Sequence, residues 1–264
     1  MDNISLKVKY LFGFSLFFLF SNVLFLNFFP FTDEILKFAL HDYSKFFLMM
    51  LLGGAIVATA LTYHKGDNMR KYWFLIGMGS WFFILGNAIW FFFKIGKTNL
   101  ESYYYLPDFS LVVYYVLVGI GLYYIINQYA EIFPIKKYYI ISSIISVIIL
   151  FLLTLFIIIP EIINGQLQML DKILQSFYIL GNVIILLAPL MVMTMVMKNL
   201  KTSILSRPWW MVISGLFLII VSSLFTMITP FLLNNFETYY FDYGWMLGYI
   251  LLGCGAVYMQ DLNS

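Results

Sequence analysis

Charge is scarce in this chain of 264 residues. Fifteen basic and 13 acidic side chains, 11% of the total, give a formal net charge of +2. That balance leaves no basic surface able to neutralise many phosphates and so excludes nucleic-acid binding. Cysteine occurs once, at Cys254, which excludes an intrachain disulfide framework and a Cys-rich metal cluster. Histidine occurs only at His41 and His64. Two are too few for a His-rich metal site, and both fall at expected helix ends, away from where a bis-His haem would be buried. The sequence therefore calls for no metal and no cofactor. A Gly-rich phosphate loop, an H-E-x-x-H pair and a nucleophile elbow are also missing. The last apolar run contains no lysine, so no retinal Schiff base forms there.

Apolar residues fill the space that charge leaves. They make up 62% of the chain, with aromatics at 20%, and the mean hydropathy is +0.91. A soluble domain carries about 25% charged and about 45–50% apolar residues. This much Phe, Leu and Ile needs lipid as its solvent, so the chain is read as an all-α, polytopic membrane helix bundle forming one integral membrane domain over residues 1–264. A helix crosses the hydrocarbon core with about 20 mostly apolar residues. Eight stretches free of Asp, Glu, Lys and Arg approach or exceed that length: Tyr10–Thr32, Phe46–Tyr63, Tyr72–Phe93, Phe109–Ala130, Tyr138–Pro160, Ile173–Met197, Pro208–Phe236 and Tyr243–Gln260. Eight spans are expected, with seven the fallback if the short second or eighth is re-entrant. The first run is too long for a signal peptide and lacks a small-residue cleavage site, so it is read as a retained helix.

Loop charges set the orientation. With the N-terminus inside, Lys7, Lys9, Lys65, Arg70, Lys71, Lys136, Lys137, Lys198, Lys201 and Arg207 are cytoplasmic. Lys37, Lys45, Lys94, Lys97 and Lys172 are outside. This bias follows the positive-inside rule and predicts a multi-pass protein of the cell membrane with both termini cytoplasmic.

An internal repeat stands out. Asp108, Tyr115, Gly119, Gly121 and Tyr124 recur with identical spacing as Asp242, Tyr249, Gly253, Gly255 and Tyr258, an offset of 134. Trp73 and Gly79 match Trp209 and Gly215 at an offset of 136. Pro30 and Pro160 mark the outer ends of the first and fifth spans. Four spans per unit keep both copies in one orientation, giving a 4+4 parallel repeat with halves at about 8–130 and 136–261.

At about 100° per residue, positions +7 and +11 fall on the face of the first. Asp108, Tyr115 and Gly119 thus form one stripe, and Asp242, Tyr249 and Gly253 another. Two readings stand. The aspartates cap helix N-termini, or they sit at the mouth of an outer-leaflet pocket with the tyrosines below. No charge is placed near the midplane, which disfavours proton relays and acidic filters. Ser21, Asn22, Asn87, Asn182, Thr194, Ser222 and Ser223 are the deep polar residues, most simply read as interhelical hydrogen bonders. Pro189 is expected to kink the sixth helix beside Asn182. The clusters Tyr103–Tyr105, Trp209–Trp210 and Tyr239–Phe241 read as interfacial belts, whereas Trp81 and Trp90 are candidates to line a cavity. The candidate ligand-binding set is Asp108, Tyr115, Asp242, Tyr249, Asn87 and Trp90.

The segments Trp73-FLIGMGSWFFILGNAIWFFFKIGK and Pro107-DFSLVVYYVLVGIGLYY resemble the multi-helix membrane sensor regions of bacterial and archaeal signalling proteins. So do Arg207-PWWMVISGLFLIIVSSLF and Tyr240-FDYGWMLGYILLGCGAVY, about half the chain in all. In that group such regions stand before PAS, histidine kinase or cyclic-dinucleotide domains. No such output domain is in this sequence, and Asn87 and Ser222/Ser223 stand where an acidic residue is often found. The resemblance implies signal perception, with output passed to a separate signalling protein. The expected function is a non-enzymatic membrane sensor or binding module that recognises a small or lipid-like ligand from the outer side. The alternatives are an intramembrane lipid-modifying hydrolase, which needs acidic residues or histidines within reach of the bilayer, and a permease for a neutral small solute. Beyond the lipid bilayer and that signalling protein, the sequence names no partner.

Overall fold

Within lipid, backbone amides are satisfied only inside helices or closed barrels, and the described backbone is helical with short turns. The computed structural model describes residues 5–28, 34–96, 106–130, 132–155, 159, 169–200, 206–232 and 240–263. Pro30, Pro160, Tyr103–Tyr105, Lys97, Lys201 and Tyr239 lie outside the described residues.

Among the described residues eight helices follow one another: α1 (Leu6–Phe28), α2 (Glu34–Leu61), α3 (Asn68–Gly96), α4 (Leu106–Gln128), α5 (Ile135–Leu153), α6, α7 (Ser206–Leu232) and α8 (Tyr240–Asn263). Helix α6 is continuous from Met169–Leu180 through a π-helical Gly181–Leu187 to Ala188–Asn199. Among the described residues seven helices are long and apolar enough to cross a membrane, which makes this a multi-pass helical bundle. Helix α8 is the one outside that set. Its three tyrosines between 243 and 260, Trp245, Gln260 and several glycines dilute its aliphatic content.

The second helix departs from expectation. Its apolar run was expected from Phe46, but α2 begins at Glu34 and its membrane-length segment is Ala39–Leu61. His41 therefore lies inside a helix and not at its end. Lys37, His41 and Lys45 are spaced by four, so helical geometry aligns them on one face. The disturbance expected at Pro189 takes the form of the π-helical segment that closes just before it. Proline offers no N–H to the preceding turn, and a π-turn absorbs the misfit.

Helices α3 and α4 pack along each other, as do α7 and α8. Helix α2 lies against α3 and α8, while α6 lies against α4, α5 and α7. Helices α1 and α5 are the least buried and flank this core. Helix α1 is fastened to α8 at the end that carries both termini. There the Ser5 hydroxyl donates to the Asp261 carboxylate, and Lys7 lies 3.6 Å from the same group. At this end the Trp73 and Trp209 rings stack at 5.7 Å and 11°, with Tyr72 edge-on to both. Close approach of α7 and α8 depends on Gly215, where an added Cβ would stand 2.6 Å from the Gly248 carbonyl oxygen.

Candidate functional site

The site lies at the opposite end, where α4 and α8 begin. Asp108 and Asp242 occupy the first turns of these helices. Each engages side chains from another helix, which capping alone does not supply. Asp108 is 6% exposed and accepts a hydrogen bond from the Tyr178 hydroxyl of α6. Asp242 meets α2 instead: its Oδ2 lies 3.0 Å from Lys45 Nζ and 3.1 Å from His41 Nε2. Lys45 also reaches Asp42 Oδ1 at 3.2 Å. The side chains of His41, Lys45, Asp42 and Asp242 are 4%, 7%, 15% and 13% exposed, so the ion pairs are largely sheltered. Charges taken from water at such depth persist only when paired and hydrogen-bonded.

Below the aspartates the stripes continue inward. Tyr115 is buried, and its hydroxyl accepts a 2.7 Å hydrogen bond from Asn182 Nδ2, which also donates to the Tyr178 carbonyl at 3.0 Å. The Tyr115 ring rests on Gly181, and an added Cβ there would come within 2.9 Å of it. One turn further, Gly119 faces Ile185 of α6. Asp108, Tyr115 and Gly119 thus all address α6. On α8, Tyr249 is fully buried with its hydroxyl 3.5 Å from the Ser80 carbonyl, and Gly253 faces Leu52 of α2. Phe83 bridges the two stripes, 5.0 Å from the Tyr114 ring and 6.0 Å from that of Tyr249. The Tyr114 ring in turn lies 5.2 Å from that of Tyr115.

The other candidates fall elsewhere. Asn87 donates to the Phe83 carbonyl of its own helix at 2.9 Å, and Trp90 is half-buried one turn further along α3. Trp81 packs against Gly53 of α2. The deep hydroxyls of Thr194 and Ser223 also bond carbonyls four residues back, not a neighbouring helix. Ser223 does receive the Trp245 indole N–H at 3.1 Å. A separate apolar cavity of about 590 Å³ opens between α6 and α7, lined by Leu187, Leu190, Thr194, Ile213, Ser214 and Phe217. It begins at Leu187, the last residue of the π-helical segment, and neither aspartate lines it.

Sequence reasoning missed His41, Lys45, Asp42 and Tyr178. The four-residue spacing of Lys37, His41 and Lys45 was the available signal for the α2 residues, hidden by starting the second span at Phe46. Tyr178 carries no such signal among 20 tyrosines. Compared with family models, curated proteins and solved structures, the chain matches none, so its chemistry is read from its own geometry.

Proposed function

We propose that the chain is a non-enzymatic sensor or binding module of the cell membrane, recognising a small or lipid-like ligand from the outer side. In this reading it has eight spans in a 4+4 parallel repeat, with both termini cytoplasmic. The observation that carries it is the crosswise attachment of the two aspartates. Asp108, in the last helix of the first half, holds Tyr178 of the second half. Asp242, in the last helix of the second half, holds Lys45 and His41 of the first. A ligand that competes for either carboxylate acts directly on the packing between halves. Such differential contact is what a signalling transition needs.

Several matched contacts support the repeat. Tyr178 stands 133 residues after Lys45, and Ile185 stands 133 after Leu52, which face Gly119 and Gly253 respectively. Gly121 faces Leu75 and Ile76, while Gly255 faces Met211 and Val212, the same positions 136 residues on. Helix α8, at 24 residues, is about 36 Å long at about 1.5 Å per residue, enough to span. The resemblance to sensor regions and the basic bias of Lys65, Arg70, Lys71, Lys136 and Lys137 point the same way. Output then passes to a separate signalling protein.

Native mass spectrometry of the wild type beside Asp108→Asn/Asp242→Asn tests the reading. A discrete co-purifying ligand lost from the double variant is the expected result. No ligand in either protein, with unchanged thermal stability across lipid and solute panels, overturns it. The His41–Asp242 hydrogen bond favours a second reading, a lipid hydrolase with an acid–base pair. Lipid turnover by the purified wild type, abolished in His41→Ala and Asp242→Asn, would establish that reading instead.

A further inference from the structure

The α2–α8 contact gathers donors of a kind that sensing by competition for a carboxylate does not use. His41 Nε2, one oxygen of Asp42 and one of Asp242 all lie within 4.8 Å of one another. The Lys45 ammonium converges on the same carboxylates, 3.2 Å from Asp42 and 3.0 Å from Asp242. A position that already holds one cation between two carboxylates, with an imidazole nitrogen beside it, has the donor set for another. We propose that His41, Asp42 and Asp242 form a binding site for a divalent transition-metal cation such as Zn²⁺, which takes its place by exchange with the Lys45 ammonium.

Charge and donor chemistry both favour the exchange. Two carboxylates against one ammonium leave this group of side chains with one negative charge in excess. Once the ammonium has moved off them, two carboxylates, a neutral imidazole and a divalent ion sum to zero, which suits a sheltered position. One imidazole with two carboxylates selects Zn²⁺, Mn²⁺ or Fe²⁺ over Mg²⁺ and Ca²⁺, which prefer all-oxygen shells. The metal takes the Nε2 lone pair, so the neutral imidazole carries its single proton on Nδ1 in the metal-bound site. Three protein ligands leave a fourth position for water or an added ligand. Before the exchange the ammonium lies 5.6 Å from the rings of both Phe46 and Trp245, and its flexible four-carbon stem lets it swing off the carboxylates when the metal arrives. Metal binding thus replaces the ion pair joining α2 to α8 with coordination bonds. This inference shares Asp242 with the sensing reading but rests only on the donor geometry.

The test uses the full chain, free of any affinity tag, in lipid nanodiscs titrated with Zn²⁺, Co²⁺ and Mg²⁺. About one Zn²⁺ per chain is expected, weakened by roughly tenfold or more in His41→Ala and in Asp242→Asn and unchanged in His64→Ala. Mg²⁺ should not compete. Co²⁺ should give ligand-field bands of mixed nitrogen and oxygen coordination in the wild type, a readout that needs no substitution. Lys45→Met, which removes the competing ammonium, should bind Zn²⁺ more tightly and gain more thermal stability from it than the wild type does. Wild type that takes up no Zn²⁺ overturns the site, as does binding lost in His64→Ala and kept in His41→Ala. Equal Zn²⁺ affinity and equal stabilisation in Lys45→Met and wild type overturn the exchange. Ligand co-purification is a separate readout, so the sensing reading and the metal site can fail independently.

Discussion

Asp108 and Asp242 each stand in the first turn of a helix but have different partners, and this difference sets what each substitution does. Asp242→Asn removes a charge from a sheltered ion pair, leaving Lys45 with Asp42 alone. Breaking a buried pair typically costs about 3–5 kcal/mol, and the surviving Asp42 contact puts the expected loss near the lower end. Asp108→Asn keeps an acceptor for the Tyr178 hydroxyl and should cost about 1 kcal/mol. Unfolding in detergent micelles measures both, and equal losses would mean that the ion pair contributes no more than the Asp108–Tyr178 hydrogen bond. Asn182→Ala takes a hydrogen-bond partner from the buried Tyr115 hydroxyl, an expected loss of about 1–3 kcal/mol by the same assay. Asp108, Tyr115, Asp242 and Tyr249 were legible because their spacing recurs at a fixed offset. Their partners were not. Which side chain meets an aspartate depends on how helices distant in sequence pack: Tyr178 carries no local mark of it, and the spacing of Lys37, His41 and Lys45 marks a shared face without saying what that face meets.

Between elements, small residues decide how closely helices approach. A Cβ at Gly215 would meet the backbone of α8, which cannot swing aside as a side chain can. Gly215→Val should therefore cost about 2 kcal/mol or more. Gly66→Ala, in the turn after α2 with nothing within 4 Å of an added Cβ, should be near neutral. Comparing their melting temperatures checks the claim, and equal shifts would refute it. Helix existence was readable from apolar run length alone, since lipid permits little else. Helix limits were less so. A charge-free window cut α2 at Phe46, although Lys37, His41, Asp42 and Lys45 find partners within the protein and need not end the helix. Pro189 announced a disturbance in α6, but the hydrogen-bond shift spreads back from it to Gly181, beside Tyr115.

For the molecule as a whole, helices distant in sequence pack on one another: α2 lies on α8, and α6 on α4. The proposed orientation predicts that a fluorescent protein fused after Ser264 folds in the cytoplasm and glows, and a dark, translocated fusion would reverse it. Cys254 gives the same packing a chemical consequence. It is the only thiol in the sequence and is fully buried in α8. Folded wild-type protein should ignore a maleimide, and each modification should record one event in which α8 leaves its neighbours. The unaltered chain thus carries its own clock for local opening, and any ligand that tightens the bundle should slow it.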